Sequence, residues 1–302
     1  RGGKPVFIDI RPDTLNMDEN QIEGLITSRT KAICPVHYAG VGCEMDTIMA
    51  IAKKHNLLVI EDAAHGVMAK YNNRYLGTIG HIGTFSFHET KNYSSGEGGA
   101  LLLNDRQFGT RAEILREKGT NRSQFFRGEV DKYTWVDIGG SYLPSEIIAA
   151  FLYGQLEQAH NINNERLSIW NTYNDALAPL QERGDLRLPI IPENCEHNAH
   201  MFYILTESLE ARTNLIHFLK QQGVSAVFHY VPLHSSPMGK SLGNKNGDLP
   251  VTEELSDRIV RLPLFCGLTS QEQERICSAV IEFYTGAQQI SPLSSEKMVS
   301  NA

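Results

Sequence analysis

A single lysine, Lys91, stands between two apolar runs at residues 82–87 and 100–103, in a stretch that reads Ser86-Phe87-His88-Glu89-Thr90-Lys91 and closes on Gly96-Glu97-Gly98-Gly99. Earlier, the apolar run at residues 57–60 stops at Glu61-Asp62-Ala63-Ala64-His65-Gly66. A lysine amine can condense with a carbonyl to form a Schiff base, and a carboxylate can keep a ring nitrogen protonated so that the ring withdraws electrons. Without that proton, a carbanion on the substrate carbon would be poorly stabilised. Read one at a time, these residues also have plain structural uses. Lys91 alone is a solvated charge beside a glycine turn, Asp62 a helix N-cap, and His65 a turn histidine.

The elements that must position them alternate. Residues 6–10 read as a strand, 18–28 as a helix with acidic residues in its first turn, and 32–37 as a strand ending in a turn. Asp46 is expected to cap a helix through His55, with Ile48, Ile51 and Ala52 on one face. Residues 57–60 form an apolar strand of the parallel-sheet type, so Asp62 falls on the edge where open α/β sheets bind ligands. A helix is expected over residues 105–117. This alternation predicts an α/β fold, a mostly parallel sheet covered by helices. Gly77, Gly80 and Gly83 lack the dinucleotide-binding spacing and precede no helix.

Residues 118–140 form a polar, aromatic segment too long for an ordinary connection, which Phe125, Phe126, Tyr133 and Trp135 mark as a functional loop. Residues 145–180 are helical in pattern, with Ile147, Ile148, Phe151, Leu152 and Leu156 on an apolar face. The remainder reads as a smaller α+β unit, with strands at 201–205 and 224–230, helices near 212–222 and 252–260, and a final helix at 270–284. The expected domains are residues 1–155, residues 156–286 and a Ser-rich, disordered tail at 287–302.

With 302 residues, 41% hydrophobic and 21% charged, the chain has the composition of a soluble globular protein. A net charge of −7 argues against general nucleic-acid binding, but leaves room for an anionic small substrate held by local arginines. Cys34, Cys43, Cys195, Cys266 and Cys277 are scattered without C-x-x-C spacing, so neither a disulfide framework nor a metal site is expected, and reduced thiols point to the cytoplasm. No apolar run is long enough to span a bilayer.

Taken together, Val59-Ile60-Glu61-Asp62-Ala63-Ala64-His65-Gly66 followed by Ser86-Phe87-x-x-x-Lys91 and Gly96-Glu97-Gly98-Gly99 resembles the DegT/DnrJ/EryC1/StrS nucleotide-sugar aminotransferases. The resemblance runs from about Val6 to about Tyr284 and implies the fold type I architecture of pyridoxal 5'-phosphate enzymes. It further implies that Lys91 holds the cofactor as a Schiff base and shuttles the substrate proton. By the same likeness Asp62 pairs with the pyridine nitrogen, His65 lies near the ring hydroxyl, Ala64 packs on the ring face and Ser86 binds the cofactor phosphate.

Residues 118–142, with Arg122, Arg127, Lys132, Tyr133 and Ser141, are similar to the branch of that family that makes dTDP-4-amino-4,6-dideoxygalactose for enterobacterial common antigen. The implied reaction aminates a dTDP-4-keto-6-deoxyhexose with L-glutamate as donor. In the family, the position of Ser141 reaches the cofactor phosphate of a partner subunit in a homodimer. Arg122, Arg127 and Lys132 would supply charge for the substrate diphosphate, and the plain alternative is a basic surface loop. His229 and His234, in His229-Tyr230-Val231-Pro232-Leu233-His234, resemble a family loop that approaches the active site, while His197 and His200 read as structural. Two other readings stay open: amination at C3 or of another nucleotide ketosugar, and a catalytically silent chain. The second follows from a family segment, expected before residue 6, that carries a ring-stacking aromatic and phosphate donors.

Overall fold

A computed structural model describes residues 2–286. Its first half runs α1 (Ile22–Leu25), β1 (Ala32–Ile33), α2 (Met45–His55), β2 (Leu58–Asp62), β3 (Lys70–Tyr71), β4 (Arg74–Tyr75), β5 (Ile82–Ser86), β6 (Gly99–Leu103), α3 (Gly109–Arg116) and α4 (Arg122–Phe126). Two consecutive helices follow, α5 (Glu146–Glu157) and α6 (Ala159–Glu182). The second half runs β7 (Cys195–Glu196), β8 (Phe202–Leu205), α7 (Leu209–Gln221), α8 (Pro237–Ser241), α9 (Pro250–Arg258), β9 (Ile259–Leu262) and α10 (Ser270–Thr285).

The principal sheet has the order β1-β2-β5-β6, with the first three strands parallel and β6 antiparallel at the edge. Asp62 pairs opposite Thr84, so the ends of β2 and β5 lie side by side with Ser86 just beyond. Val59 and Glu61 of β2 are fully buried. Val59 packs with Ile48 and Ala52 of α2 in one core. A second core gathers Tyr173 and Leu177 of α6, Phe202 and Ile204 of β8, Leu215 and Leu219 of α7, Val260 of β9 and Val280 of α10. The two halves are joined where β7 pairs antiparallel with β3, reinforced by Lys70 and Glu196 at 2.9 Å. This is the fold type I arrangement of a mostly parallel sheet beside a smaller α+β unit.

The local structure departs from expectation where tertiary partners intervene. Residues 6–9 form no strand, because the Asp9 carboxylate instead accepts from the Val251 and Thr252 amides at the start of α9. The 32–37 strand stops at Ile33, since Pro35 has no amide to donate, and only a bridge between Val36 and Asp62 continues the pairing. Asp46 does not cap α2. Its carboxylate faces the β3–β4 turn, accepting from Asn72 at 2.8 Å and pairing with Arg74. Residues 224–230 contribute only a bridge between Val227 and Arg261, and the helix expected to reach Val260 ends at Arg258, where β9 pairs antiparallel with β8. The helix over 18–28 is a 3-10 turn leading into α1, with Asp18 as the cap. The apolar face of α5 is real in sequence but not buried: Ile147 is 83% and Phe151 58% exposed. The tail expected at 287–302 lies outside the described residues.

Candidate active site

Lys91 sits on the hairpin between β5 and β6, and three contacts set the geometry of that loop. The Phe87 amide donates to Gly98 O at 2.9 Å, the Ser95 amide donates to Phe87 O at 2.8 Å, and the Lys91 amide donates to His88 O at 3.0 Å. Gly96 takes φ +80, a left-handed turn that a side chain disfavours. Tyr93 anchors the loop from below, 1% exposed, with its hydroxyl donating to Ala159 O at 3.1 Å. The loop is thereby tied to the start of α6.

The end of β2 is held by a buried cluster. Glu61 accepts from His37 Nε2 at 2.9 Å and from the amides of Gly77 at 2.8 Å and Ile79 at 2.7 Å, with the Gly80 amide as a fourth donor. Because the Cys43 amide donates to His37 Nδ1 at 3.1 Å, the network fixes the proton on Nε2, and His37 donates to Glu61. Burial pushes the Glu61 carboxyl up, but the His37 bond and the amides outweigh it and hold it below the usual range. Asp62 follows immediately. One of its oxygens accepts from the Ala64 amide at 3.1 Å, and the other has no hydrogen-bond partner among the described residues.

A small cavity opens between these two strand ends, lined by Ala64, His65, Val67, Ser86, Lys91, Asn92, Tyr93, Asn198 and His200. Burial lowers the Lys91 ammonium from its ordinary value; the Asp62 charge opposes that, and the Arg261 charge adds to it. His65 stacks face to face on His200, with centroids 3.9 Å apart. Burial, then the Lys91 charge, push His65 down to about 3, and burial with the neighbouring His65 pushes His200 well below the ordinary histidine value. Both rings are therefore neutral near pH 7. His65 Nδ1 accepts from the Ala39 amide at 3.3 Å, and His200 Nδ1 meets the Asn92 side chain at 3.0 Å.

Asp62, Ala64, His65, Ser86 and Lys91 are thus brought together. Asn92 and Asn198 line the same cavity without having been picked out from the sequence, and His200, read there as structural, lines it too, while Tyr38 packs beside His65. Asn198 donates to His65 O at 2.7 Å and Val67 O at 2.8 Å, and Arg166 donates to Ala199 O at 3.1 Å and His200 O at 2.8 Å. The signal that could have found them was the cluster His197-Asn198-Ala199-His200 just before a buried strand.

The remaining expected residues lie elsewhere in this chain. Arg122 is paired with Glu117, and Arg127 contacts Glu129 at 2.7 Å and Glu113 at 3.0 Å. Lys132 and Tyr133 are exposed, with the Tyr133 ring 5.7 Å from that of Phe125, and Ser141 bridges to Glu117. His234 is 1% exposed and bonded to Glu253 of α9 at 2.7 Å. His229 does approach the cavity, its ring packed edge-on against Tyr38 at 5.4 Å.

The cavity suits a group with a cationic ring nitrogen, a carbonyl carbon and a phosphate. Among the described residues, Asp62 has a carboxylate oxygen to spare, Lys91 is half-buried and of lowered basicity, and the Ser86 hydroxyl is engaged only by a stretched 3.4 Å contact from the His88 amide. Among the described residues, no three His, Cys, Asp or Glu side chains cluster as a metal site, and no helix is long and apolar enough to cross a membrane.

Known proteins resemble the chain along most of its length. The model of the DegT/DnrJ/EryC1/StrS aminotransferase family matches residues 1–281. The chain is 37% identical over 284 residues to the uncharacterized protein MJ1066 of Methanocaldococcus jannaschii, covering 92% of this chain and 73% of that one. It is 33% identical over 285 residues to GDP-perosamine synthase of Escherichia coli O157:H7, covering 94% and 74% respectively. The PLP form of the putative sugar aminotransferase Spr1654 from Streptococcus pneumoniae superimposes with a TM-score of 0.83 at 25% identity, over 92% of this chain and 74% of that structure. The chain belongs to the DegT/DnrJ/EryC1/StrS aminotransferase family, whose cofactor is pyridoxal 5'-phosphate.

Proposed function

We propose that the chain transfers an amine from L-glutamate to C4 of a dTDP-4-keto-6-deoxyhexose, with Lys91 as the Schiff-base lysine. The observation that carries the aminotransfer chemistry is that Lys91, on the hairpin after β5, lies within reach of the charge of Asp62 at the end of the neighbouring β2. Bound pyridoxal phosphate supplies an electron-withdrawing ring that stabilises negative charge on the carbon bearing the amine. The chain's residues make that ring effective. Asp62 holds a positive charge at the ring nitrogen, and Ser86 donates to the phosphate. Lys91 Nζ, whose basicity burial lowers, would carry the proton from the donor's amine-bearing carbon to the cofactor carbon, and in the reverse sense onto the carbon of the acceptor that gains the amine. The neutral His65–His200 stack and the close packing of Tyr93 limit water around that nitrogen.

The nucleotide-sugar reading draws on the segment around α4, where Arg122, Arg127, Lys132 and Tyr133 stand at the surface beside Trp135, 76% exposed. That segment and the exposed Ile147 and Phe151 of α5 fit a face completed by a second copy of the chain, which would carry these residues and Ser141 to the partner's cavity. We read residues 1–155 as the cofactor-binding unit and 156–286 as the smaller unit. The likeness to GDP-perosamine synthase supports a second reading, in which the nucleotide is guanosine rather than thymidine.

Borohydride reduction of the cofactor-loaded protein followed by peptide mass analysis is expected to place the adduct on Lys91, and Lys91→Ala to abolish it. A panel of dTDP- and GDP-linked 4-keto and 3-keto sugars then identifies the acceptor. Turnover of a 3-keto sugar, with none of either 4-keto sugar, would overturn the assignment to C4.

A further inference from the structure

The residue that follows Lys91 is held by the other half of the chain. The Asn92 side chain donates through Nδ2 to Asn198 O at 3.0 Å, which turns its Oδ1 toward His200 Nδ1, also at 3.0 Å. His200 is neutral near pH 7, so its one ring proton sits on Nδ1 and is donated to Asn92. Asn198 donates in turn to His65 O at 2.7 Å, and the His65 ring lies on that of His200 at an interplanar angle of 16°. Asn92, Asn198, His65 and His200 therefore close a ring of contacts around the Lys91 cavity, which all four line. Arg166 anchors that ring to α6, its guanidinium bonded to the carbonyls of Ala199 and His200.

The approach to Lys91 needs such an anchor. Glu89 and Thr90, immediately before it, are exposed, and the turn bond from the Lys91 amide reaches only to His88 on the same loop. Asn92 is one planar peptide unit away, so a shift of its side chain carries the lysine backbone with it. The ring is also uncharged. An amide and a neutral imidazole satisfy each other without adding a charge beside the ammonium, which feels Asp62 and, with opposite effect, Arg261, while His65 and His229 are neutral near pH 7. A carboxylate at position 92 would accept from His200 equally well, but it would hold Lys91 protonated. Asn rather than Asp at this position thus suits a lysine that must give up its proton.

We propose that Asn92, through His200 and Asn198, is a positioning residue that sets Lys91 Nζ against the carbon whose proton it carries. This rests on the aminotransfer reading of the Lys91 cavity. Its effect falls on the orientation and basicity of one amine rather than on the affinity of a substrate. Because the ring acts as a unit, removing a second member after the first costs little more.

The test follows a single turnover of the cofactor-loaded protein with L-glutamate by the cofactor's absorbance. In parallel, pH-dependent acetylation of the cofactor-free protein, read by peptide mass analysis, titrates Lys91. Asn92→Ala is expected to slow the turnover at saturating glutamate about 10–100-fold, the scale of a misplacement near ~1 Å, with the half-saturating concentration within about threefold. His200→Phe, which keeps a flat ring on His65 but has no proton to donate, is expected to lose a similar factor, and the double variant little more than either. Asn92→Asp, nearly isosteric, is expected to raise the pKa of Lys91 above the wild-type value in the cofactor-free protein and to move the rate–pH profile in the same direction. Folded variants with the wild-type rate and Lys91 titration overturn the proposal. So does a raised half-saturating concentration at unchanged rate, or losses that multiply in the double variant. Each of these, in protein that carries the cofactor on Lys91, leaves the aminotransfer reading standing. Wild-type protein that cannot be loaded on Lys91 overturns that reading, and the proposal with it.

Discussion

Glu61→Gln is a nearly isosteric change at a fully buried side chain that never touches a ligand, and its cost can be worked from the hydrogen bonds. One carboxylate oxygen accepts from His37 Nε2 and Gly77 N, the other from Ile79 N and Gly80 N. An amide in either orientation turns two N–H groups toward two donors. Turned toward His37, it would require the other imidazole tautomer, which sets a proton on Nδ1 against the Cys43 amide. At about 1–3 kcal/mol for each buried donor left unsatisfied, the expected loss is about 3–5 kcal/mol, the range for breaking a buried pair. For a chain of 302 residues at ~2.1 cal/mol/K per residue, a loss of ~4 kcal/mol lowers Tm by about 6 °C. Urea unfolding of both proteins near neutral pH, analysed by linear extrapolation, measures the difference. The depressed carboxyl of Glu61 contributes stability above the ordinary glutamate value and loses it as pH falls through its lower native value. The gap between the two proteins should therefore narrow in acid. A loss below about 1 kcal/mol at neutral pH, or a gap that widens in acid, would refute the reasoning.

Three further outcomes are expected. Gly40→Ala places a Cβ 2.0 Å from Asn198 Oδ1 at φ +82, so it should displace Asn198 and lower cofactor affinity as well as stability by about 1–3 kcal/mol; fluorescence titration with pyridoxal phosphate and thermal unfolding read both. Thr269→Ala removes the α10 capping box and should cost ~1 kcal/mol in urea without changing cofactor affinity. His65, at about 3, and His197 and His229, each at about 4, are lowered chiefly by burial from an ordinary 6.5, so the unfolded chain binds more protons than the native one below that value. Stability should then fall as pH drops from about 6.5 toward 4, by up to ~1.4 kcal/mol per pH unit for each histidine, and unfolding at stepped pH should show a shallower slope in His197→Asn.

The sequence made the Lys91–Asp62 pair legible because each residue stands in a short contiguous motif at a strand end, where local pattern and chemistry coincide. The α/β alternation was legible for the same reason, in β2, α2 and the hairpin around Lys91. Asn198 and the site role of His200 were not, because each reaches the cavity from the second half through a pairing that no local window contains. The error at residues 6–10 has the same origin: an apolar alternation promises a strand, but Asp9 is committed to the start of α9. The chain from Arg258 to Leu262 misled because a helical stretch passes into β9 without a Gly or Pro break. The apolar face of α5 was read correctly as apolar, yet packing within one chain leaves much of it in water.

The seam at β7 also sets an order of events. Asn198 donates to His65 O and Val67 O across more than 130 residues of chain, and His200 lies against the ring of His65. During synthesis the strands around Lys91 emerge long before that wall exists, so the cofactor site is completed late and by a non-local contact. A nascent chain halted before Asn198 is expected to leave Lys91 in water with near-ordinary basicity, taking up pyridoxal phosphate weakly. One extended past α10 should retain it, a difference that reductive trapping on stalled ribosomes would reveal. The loading of this protein with its cofactor is in that sense timed by the length of chain already made.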